Sequence, residues 1–230
     1  MVPDPRCRLR PEIAPEVRSL VKLGILWAEP VAVGPSGPAL EVEIEEQSAI
    51  LQRRYAGRPP AGITPLAQAR DLYRAFGIDP TRNRPSSEAL LRRVLKGKPL
   101  PRIFNAVDLC NLCSLRFLLP IGLYDLAKLH PPVLLRRGRS GESYRGIRKE
   151  EVHVDGRPVL VDENGPFGNP SADSLLASVT AGTGSLFMVI FAPACYPQEQ
   201  MEENVRTACD AMGRHLAPAG ETVSAAGAVL

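Results

Sequence analysis

The chain predicts an α+β fold, with helices and strands segregated rather than alternating. Three observations lead there. Stretches of helical period crowd residues 38–117. After residue 120 the apolar runs shorten and become strand-like, and a single long amphipathic helix follows Pro197. A doubly wound parallel sheet would instead alternate strand and helix along the whole chain.

The elements follow in order. Residues 1–12 are polar and proline-rich and read as a loose arm. From Val17 to Val33 apolar residues are dense, punctuated by Gly24 and Pro30, which reads as one or two strands. Residues 38–55 read as a helix: Leu40, Ile44, Ala49, Ile50 and Leu51 share a face, acids crowd its first half, and Arg53 and Arg54 lie near its negative end. A second helix is capped by Thr64, has Pro65 in its first turn and ends at Gly77. A third starts at Ser86 or Ser87 and stops before Gly97, with Ala89, Leu90, Val94 and Leu95 inward. The stretch 103–119 contains a short helix carrying Val107, Leu109, Leu112 and Leu115.

Beyond residue 120, Asp155-Gly156 between strand-like flanks signals a hairpin. Residues 133–135, 159–161, 178–180 and 186–191 read as further strands. Met201, Val205, Ala208, Met212 and Leu216 repeat at helical spacing. The tail 217–230 has few large apolar side chains and reads as disordered. Residues 13–216 are therefore expected to form one domain.

Composition narrows function only loosely. A 230-residue chain with 44% hydrophobic residues can bury a core without disulfides or metals. The net charge of +3 permits an anionic partner without demanding one. Five cysteines in no framework spacing fit reduced thiols. The N-terminus lacks a signal peptide, and no apolar run is long enough to span a bilayer, so a cytoplasmic protein with no membrane partner is expected.

Several residue groups carry possible chemistry. Arg82 and Arg84 lie just before a helix N-terminus, where amides and guanidinium groups favour an anion such as phosphate; the alternative is a solvated loop whose Arg84 pairs with a core carboxylate. Arg92, Arg93, Lys96, Lys98 and Arg102 follow, and a second basic group comprises Arg136, Arg137, Arg139, Arg145, Arg148 and Lys149. Such groups either mark an RNA surface or form solvated faces. Asn105, Asp108, Asn111 and Ser114 recur every third position in an apolar stretch, either as caps or as the lining of a polar pocket. Cys110 and Cys113 read as buried thiols, because one pair cannot close a zinc site. The three histidines are scattered, and neither a metal-ligand spacing nor a cofactor fingerprint is present.

Taken together the segments resemble a family. Arg82-Asn-Arg84-Pro-Ser86-Ser-Glu88 is followed by Asn105-Ala-Val-Asp108-Leu-Cys-Asn111, then by Leu119-Pro120-Ile-Gly-Leu-Tyr124-Asp125. Arg139-Ser-Gly141-Glu142, Val161-Asp162-Glu163 and Val179-Thr180-Ala-Gly-Thr183 complete the ordered set. It resembles the editing module (the B-three/B-four domain) of the phenylalanyl-tRNA synthetase beta subunit over roughly residues 60–195, here as a stand-alone chain.

The resemblance implies a three-layer sandwich of mixed or antiparallel sheets with helices. In the synthetase the module hydrolyses tyrosine mis-attached to phenylalanine tRNA, a reaction that needs a held water and a stabilised oxyanion but no metal. By this likeness Asn105, Asp108, Asn111, Tyr124, Glu142, Asp173, Ser174, Thr180 and Thr183 are expected at an amino-acid pocket. Arg82, Arg84, Arg92, Arg93 and Lys96 are expected to contact RNA. The expected partners are tRNA or aminoacyl-tRNA, with an amino acid as small ligand and no DNA. The chain departs from the synthetase at three places: Gly122 stands where a histidine is usual, Val189 where a glutamate is usual, and Asp173-Ser174 replaces Gly-Gly. Three readings follow: a deacylase acting in trans, a non-catalytic amino-acid or RNA binding module, or a small-molecule enzyme using Asp108 and Glu142 as an acid/base pair. A complete ligase is not expected.

Overall fold

The apolar residues of two long strands divide onto two faces, and that division organises the molecule. In the computed structural model, which describes residues 9–147 and 151–230, β2 (Val21–Glu29) and β10 (Leu186–Pro193) pair antiparallel over their full length. Leu26, Ala28, Leu186, Met188, Ile190 and Ala192 face one way; Leu23, Ile25, Trp27, Phe187, Val189 and Phe191 face the other. The period-2 alternation of a strand makes this split unavoidable, and burying both faces requires a layer on each side.

The helices supply one layer. They are α1 (Pro38–Tyr55), α2 (Thr64–Ala75), α3 (Ser86–Leu95), α4 (Asn105–Phe117) and α5 (Gln198–His215). Leu40 and Ile44 of α1, Leu91 and Val94 of α3, Leu109 and Leu112 of α4, and Met201 and Ala208 of α5 join the first face. Helix α2 reaches both sides, because Leu66 joins this cluster while Leu72 and Tyr73 join the other.

A second sheet supplies the opposite layer. Its order is β1 (Glu12–Ile13), β4 (Leu134–Arg137), β7 (Pro158–Asp162), β8 (Gly165–Asn169) and β9 (Ala172–Asp173). The β1–β4 pair is parallel and the others are antiparallel, so the sheet is mixed. Leu135, Leu160 and Phe167 pack onto the second face of β2 and β10. The central sheet runs β11 (Ser224–Val229), β2, β10, β3 (Ile121–Asp125). A small pair, β5 (Ser143–Tyr144) and β6 (Val152–His153), stands apart. The result is a three-layer α+β sandwich of helices, antiparallel sheet and mixed sheet.

Five expectations are corrected. Residues 224–229 form an edge strand on β2 instead of a disordered stretch. Their small side chains are what the site requires: a Cβ at Gly227 would press on Val205 of α5 and on the Ile25 carbonyl. The end of the N-terminal arm is pinned, with Glu12 and Ile13 in β1 and Leu9 buried, while residues 1–8 lie outside the described residues. Residues 178–180 form no strand and lie in irregular chain between two turns. Asp155-Gly156 makes a tight turn with Gly156 at φ +67°, but its flanks do not pair with each other: β6 pairs with β5, and β7 with β4 and β8. Strand β3 was not expected. It lies at the edge of the central sheet, where it shows the ladder to β10 on one side only.

Candidate functional site: a polar seam between the sheets and a basic face on the third helix

The expected pocket residues separate into three places. Asn105 and Asp108 open α4 in the helical layer. Asn105 Oδ1 accepts from Gly34 N (3.0 Å) and Ala106 N (2.8 Å), and its amide donates to the carbonyls of Ala32 (2.9 Å) and His215 (3.3 Å). Asp108 is buried, with Oδ2 accepting from Ser36 Oγ at 2.7 Å and Oδ1 from Ile103 N at 3.1 Å. Its charge lies in the first turn, where the dipole favours it. These side chains staple the 32–36 loop to the helix. Asn111, one turn on, is half-buried and carries no side-chain hydrogen bond among the described residues.

Glu142 lies in the turn after β4. It receives Arg136 in a two-pronged pair at 2.6 and 2.7 Å and the Arg139 N–H at 2.9 Å. The Arg136 hydrogen bond holds its carboxyl below the usual range against the opposing effect of burial. Asp108 belongs to the helical layer and Glu142 to the far sheet, each with its own partners, so the acid/base pair does not form.

The third place is the seam between the two sheets. Tyr124 is fully buried on β3, edge-on to Phe167 of β8 with ring centroids 4.9 Å apart. Its hydroxyl lies between Gly122 and Gly168, and a Cβ at either position would overlap it. Gly122 is the cross-strand partner of Val189, and Tyr124 of Phe187. The two departures from the synthetase pattern are therefore neighbours, on a seam filled by Tyr124, Phe167, Phe187 and Val189.

Asp173, on β9, accepts from the Leu123 N–H at 3.3 Å and so satisfies a donor on the free edge of β3. Burial pushes its carboxyl up to about 7, with the Tyr124 hydroxyl and the Leu123 N–H pulling the other way. The residue is half-buried, yet Oδ1 is shielded from solvent. Tyr124 Oη, Asp173 Oδ1 and Asn169 Nδ2 are all buried without a well-formed hydrogen bond among the described residues. Ser174 is buried beside Asp173 and accepts from Leu176 N.

Thr180 and Thr183 frame a turn anchored from below. Thr183 Oγ1 accepts from Thr180 N (3.0 Å) and donates to Asp125 Oδ2 (2.7 Å), while Thr180 itself is exposed. Asp125 is the residue that ties this turn to β3. Sequence signalled it only through its place beside Tyr124.

The basic residues gather around α3: Arg82 and Arg84 before it, Arg92 and Arg93 on it, and Lys96 at its end. Glu88, in the first turn of α3, is 1% exposed and receives Arg70 at 2.7 and 2.8 Å, Arg92 at 2.8 Å, and Arg84 at 3.8 Å. Burial raises its pKa, but the Arg70 and Arg92 hydrogen bonds outweigh that and hold it below the usual range. Three guanidinium groups around one carboxylate leave an excess of positive charge. Arg70 is buried; Arg84 and Arg92 are 46% and 36% exposed. Arg82, Arg93 and Lys96 are exposed, with Arg93 donating to the Pro99 carbonyl. The loop before α3 is fixed by Thr81 on Asp79, Arg157 on Asn83, and Ser86 on the Pro170 carbonyl. Arg84 leans toward a core carboxylate, as one of the sequence alternatives has it, and remains half-exposed. Arg70 carried no local signal, since it lies eighteen positions before Glu88. In the second basic group Arg136 and Arg137 are engaged within the fold, and Arg148 and Lys149 lie outside the described residues.

Part of the chain is similar to the phenylalanine–tRNA ligase beta subunit of Chromobacterium violaceum, 28% identical over 156 residues that cover 66% of this chain and 17% of that protein. In structure the chain is similar to an N-terminal fragment of the phenylalanyl-tRNA synthetase beta subunit from Pyrococcus horikoshii. That likeness has a TM-score of 0.47 and 14% identity, and covers 92% of this chain and 49% of that one. The chain spans less than half the length of either relative. The B3/4 domain family matches residues 68–207, more than half of the chain, and the chain belongs to that family.

Proposed function

We propose that this chain is an RNA-associated B3/4 protein that engages tRNA or aminoacyl-tRNA through the face built on α3. The observation that carries this reading is the Glu88 cluster. One buried carboxylate fixes three arginines and leaves Arg84 and Arg92 partly exposed beside Arg82, Arg93 and Lys96. A fixed basic face attracts a phosphate backbone and loses little side-chain freedom on binding it. Similarity to part of a phenylalanine–tRNA ligase beta subunit favours tRNA over other anionic partners.

The finer form of the proposal, hydrolysis of a mischarged aminoacyl-tRNA in trans, draws on the exposed Thr180–Thr183 turn and its Asp125 anchor. The seam argues against tyrosine as the amino acid released there. Gly122 and Val189 supply no polar group, and the Tyr124 ring occupies the space between Gly122 and Gly168. Binding without turnover is the reading those residues favour.

Binding of tRNA measured between about 50 and 200 mM salt tests the proposal. The expected result is a linear fall of log affinity with log salt, with a slope smaller by about one for each of Arg82→Gln and Arg84→Gln. No measurable tRNA binding, or a slope untouched by both variants, would sink the basic-face reading. Deacylation of a panel of mischarged tRNAs, starting with tyrosyl-tRNA for phenylalanine, separates the finer forms. No release is expected from the tyrosyl substrate, and release that is lost in Thr180→Ala would establish a trans-acting hydrolase.

A further inference from the structure

A groove of about 420 Å³ opens beside the turn between β7 and β8, with Lys128, His130, Asn164, Phe167 and Leu176 in its lining. That volume is in the range of small-molecule sites, which combine a mostly apolar lining with a few placed polar groups. The floor is apolar, contributed by Phe167 and its neighbours Pro166 and Ala177. Leu176 stands at the rim with 80% of its surface exposed, more than any other large hydrophobic residue described. An exposed leucine over an apolar floor is the kind of surface that an apolar ligand body covers.

The polar rim is held in place. Asp162 accepts from His130 N at 2.9 Å and from Asn164 N at 2.8 Å, which fixes the turn. The Asn164 side-chain amide lies 2.7 Å from His130 Nδ1. With that amide as donor, Nδ1 is the acceptor and the ring proton sits on Nε2. Lys128 Nζ donates to the Ser178 carbonyl at 2.6 Å and keeps two further N–H groups.

Two carboxylates face this rim, and both are occupied. Asp162 accepts the Asn164 N–H of its own turn and the His130 N–H from the facing segment, and its Oδ2 lies 3.9 Å from His130 Nδ1. Asp125, 3.7 Å from Lys128, accepts from Ala127 N and from the Thr183 hydroxyl. The groove therefore offers donors, His130 Nε2–H and the Lys128 ammonium, above an apolar floor.

We propose that this groove binds a small organic anion: a carboxylate or phosphate group carried on an apolar body about the size of an aromatic side chain. The anionic oxygens meet Lys128 and His130 in charge-assisted hydrogen bonds, and the body covers Phe167 and Leu176. The site is separate from the basic face. It lies at the Gly165 end of β8, whereas the loop before α3 is tied by Ser86 to Pro170, just beyond the other end of that strand.

Titration followed by amide NMR shifts tests the site, using N-acetylphenylalanine, phenyl phosphate and the neutral N-acetylphenylalanine amide as probes. The expected result is saturable binding of at least one anion, with shifts centred on Asn164 and Leu176. The neutral amide binds about tenfold more weakly, the size of one lost charge-assisted hydrogen bond. His130→Ala, at a side chain that is 55% exposed, and Lys128→Gln each weaken the anion to a similar extent, whereas Arg206→Gln on the surface of α5 does not. The carboxylate and phosphate probes distinguish the two sources of the anion. Equal affinity for the neutral amide, shifts centred elsewhere, or no saturation by either anion at millimolar concentration would overturn the proposal.

Discussion

Buried polar side chains meet opposite fates at the start of α4 and in the seam between the sheets. Asn105 and Asp108 find internal partners for their side-chain groups and bind a loop to a helix. Tyr124, Asp173 and Asn169 lie within one layer contact of each other, yet each leaves a buried polar atom without a well-formed bond. A satisfied polar group costs little and fixes geometry. An unsatisfied one costs its desolvation and persists where the surrounding packing holds it. The first region is accounted for by folding alone. In the second, polar atoms of Tyr124, Asp173 and Asn169 are buried without well-formed partners, and the Tyr124 hydroxyl and the Asp173 carboxyl sit close enough to influence each other.

The largest expected effect comes from Asp173 and appears in the pH dependence of stability. Burial raises its pKa to about 7 from an ordinary 3.8, so between those values the folded chain retains a proton that the unfolded chain has released. The associated stability is fully present below about pH 4 and is lost as pH rises through 7. At about 1.4 kcal/mol per pKa unit the loss is on the order of 4 kcal/mol. Urea denaturation across this range should show stability falling with pH, and Asp173→Asn should flatten the curve. A wild-type curve that rises toward neutral pH would show that the Asp173 carboxylate is well solvated or paired, and the contrast between the two regions would disappear.

Asp108→Ala probes the satisfied side. The substitution strips partners from Ser36 Oγ and the Ile103 N–H and removes a first-turn charge. A loss of about 3 kcal/mol is expected, with Asp108→Asn costing about 1 kcal/mol because it preserves one acceptor. If a ligand-binding role prevailed over stapling, the alanine variant would keep its stability and lose ligand instead. That outcome would move Asp108 back into a pocket.

Much of the helical layer was legible because its signals are local. Pro65 and Gly77 bracket α2, and the stripe of α5 follows the helical period in the chain itself; on α3 the inward face was misplaced, since Ala89 is exposed and Leu91 is buried. Strand β3 was missed because Ile121–Asp125 is short and holds Gly122 in place of a β-former, so its pairing depends on β10, more than sixty residues away. The tail was misread for a related reason: alanine and glycine look featureless in sequence, yet a close approach to α5 admits only such residues. Among site residues, the spacing of Asn105 and Asp108 correctly marked buried polar groups but could not separate staples from ligands. The i, i+4 spacing of Arg84 and Arg92 about Glu88 is a signal the sequence reading did not use, whereas Arg70 reaches the same carboxylate only through the packing of α2 on α3.

The smallest effect on stability, and the sharpest on mechanism, is expected from Tyr124→Phe. The ring supplies the packing against Phe167 and Phe187, and phenylalanine retains it. The hydroxyl contributes no well-formed hydrogen bond, so stability should change by no more than about 1 kcal/mol at low pH. The hydroxyl does pull the Asp173 pKa down, against burial. Removing it should therefore move the stability midpoint assigned to Asp173 to higher pH. Gly168→Ala is the companion variant, since its new Cβ would overlap the Tyr124 hydroxyl and also the ring carbons that phenylalanine keeps. Gly168→Ala should therefore destabilise both the wild-type chain and the Tyr124→Phe chain. A Tyr124→Phe variant that loses more than about 2 kcal/mol would mean that the hydroxyl is firmly bonded in solution and that the seam is as satisfied as the start of α4.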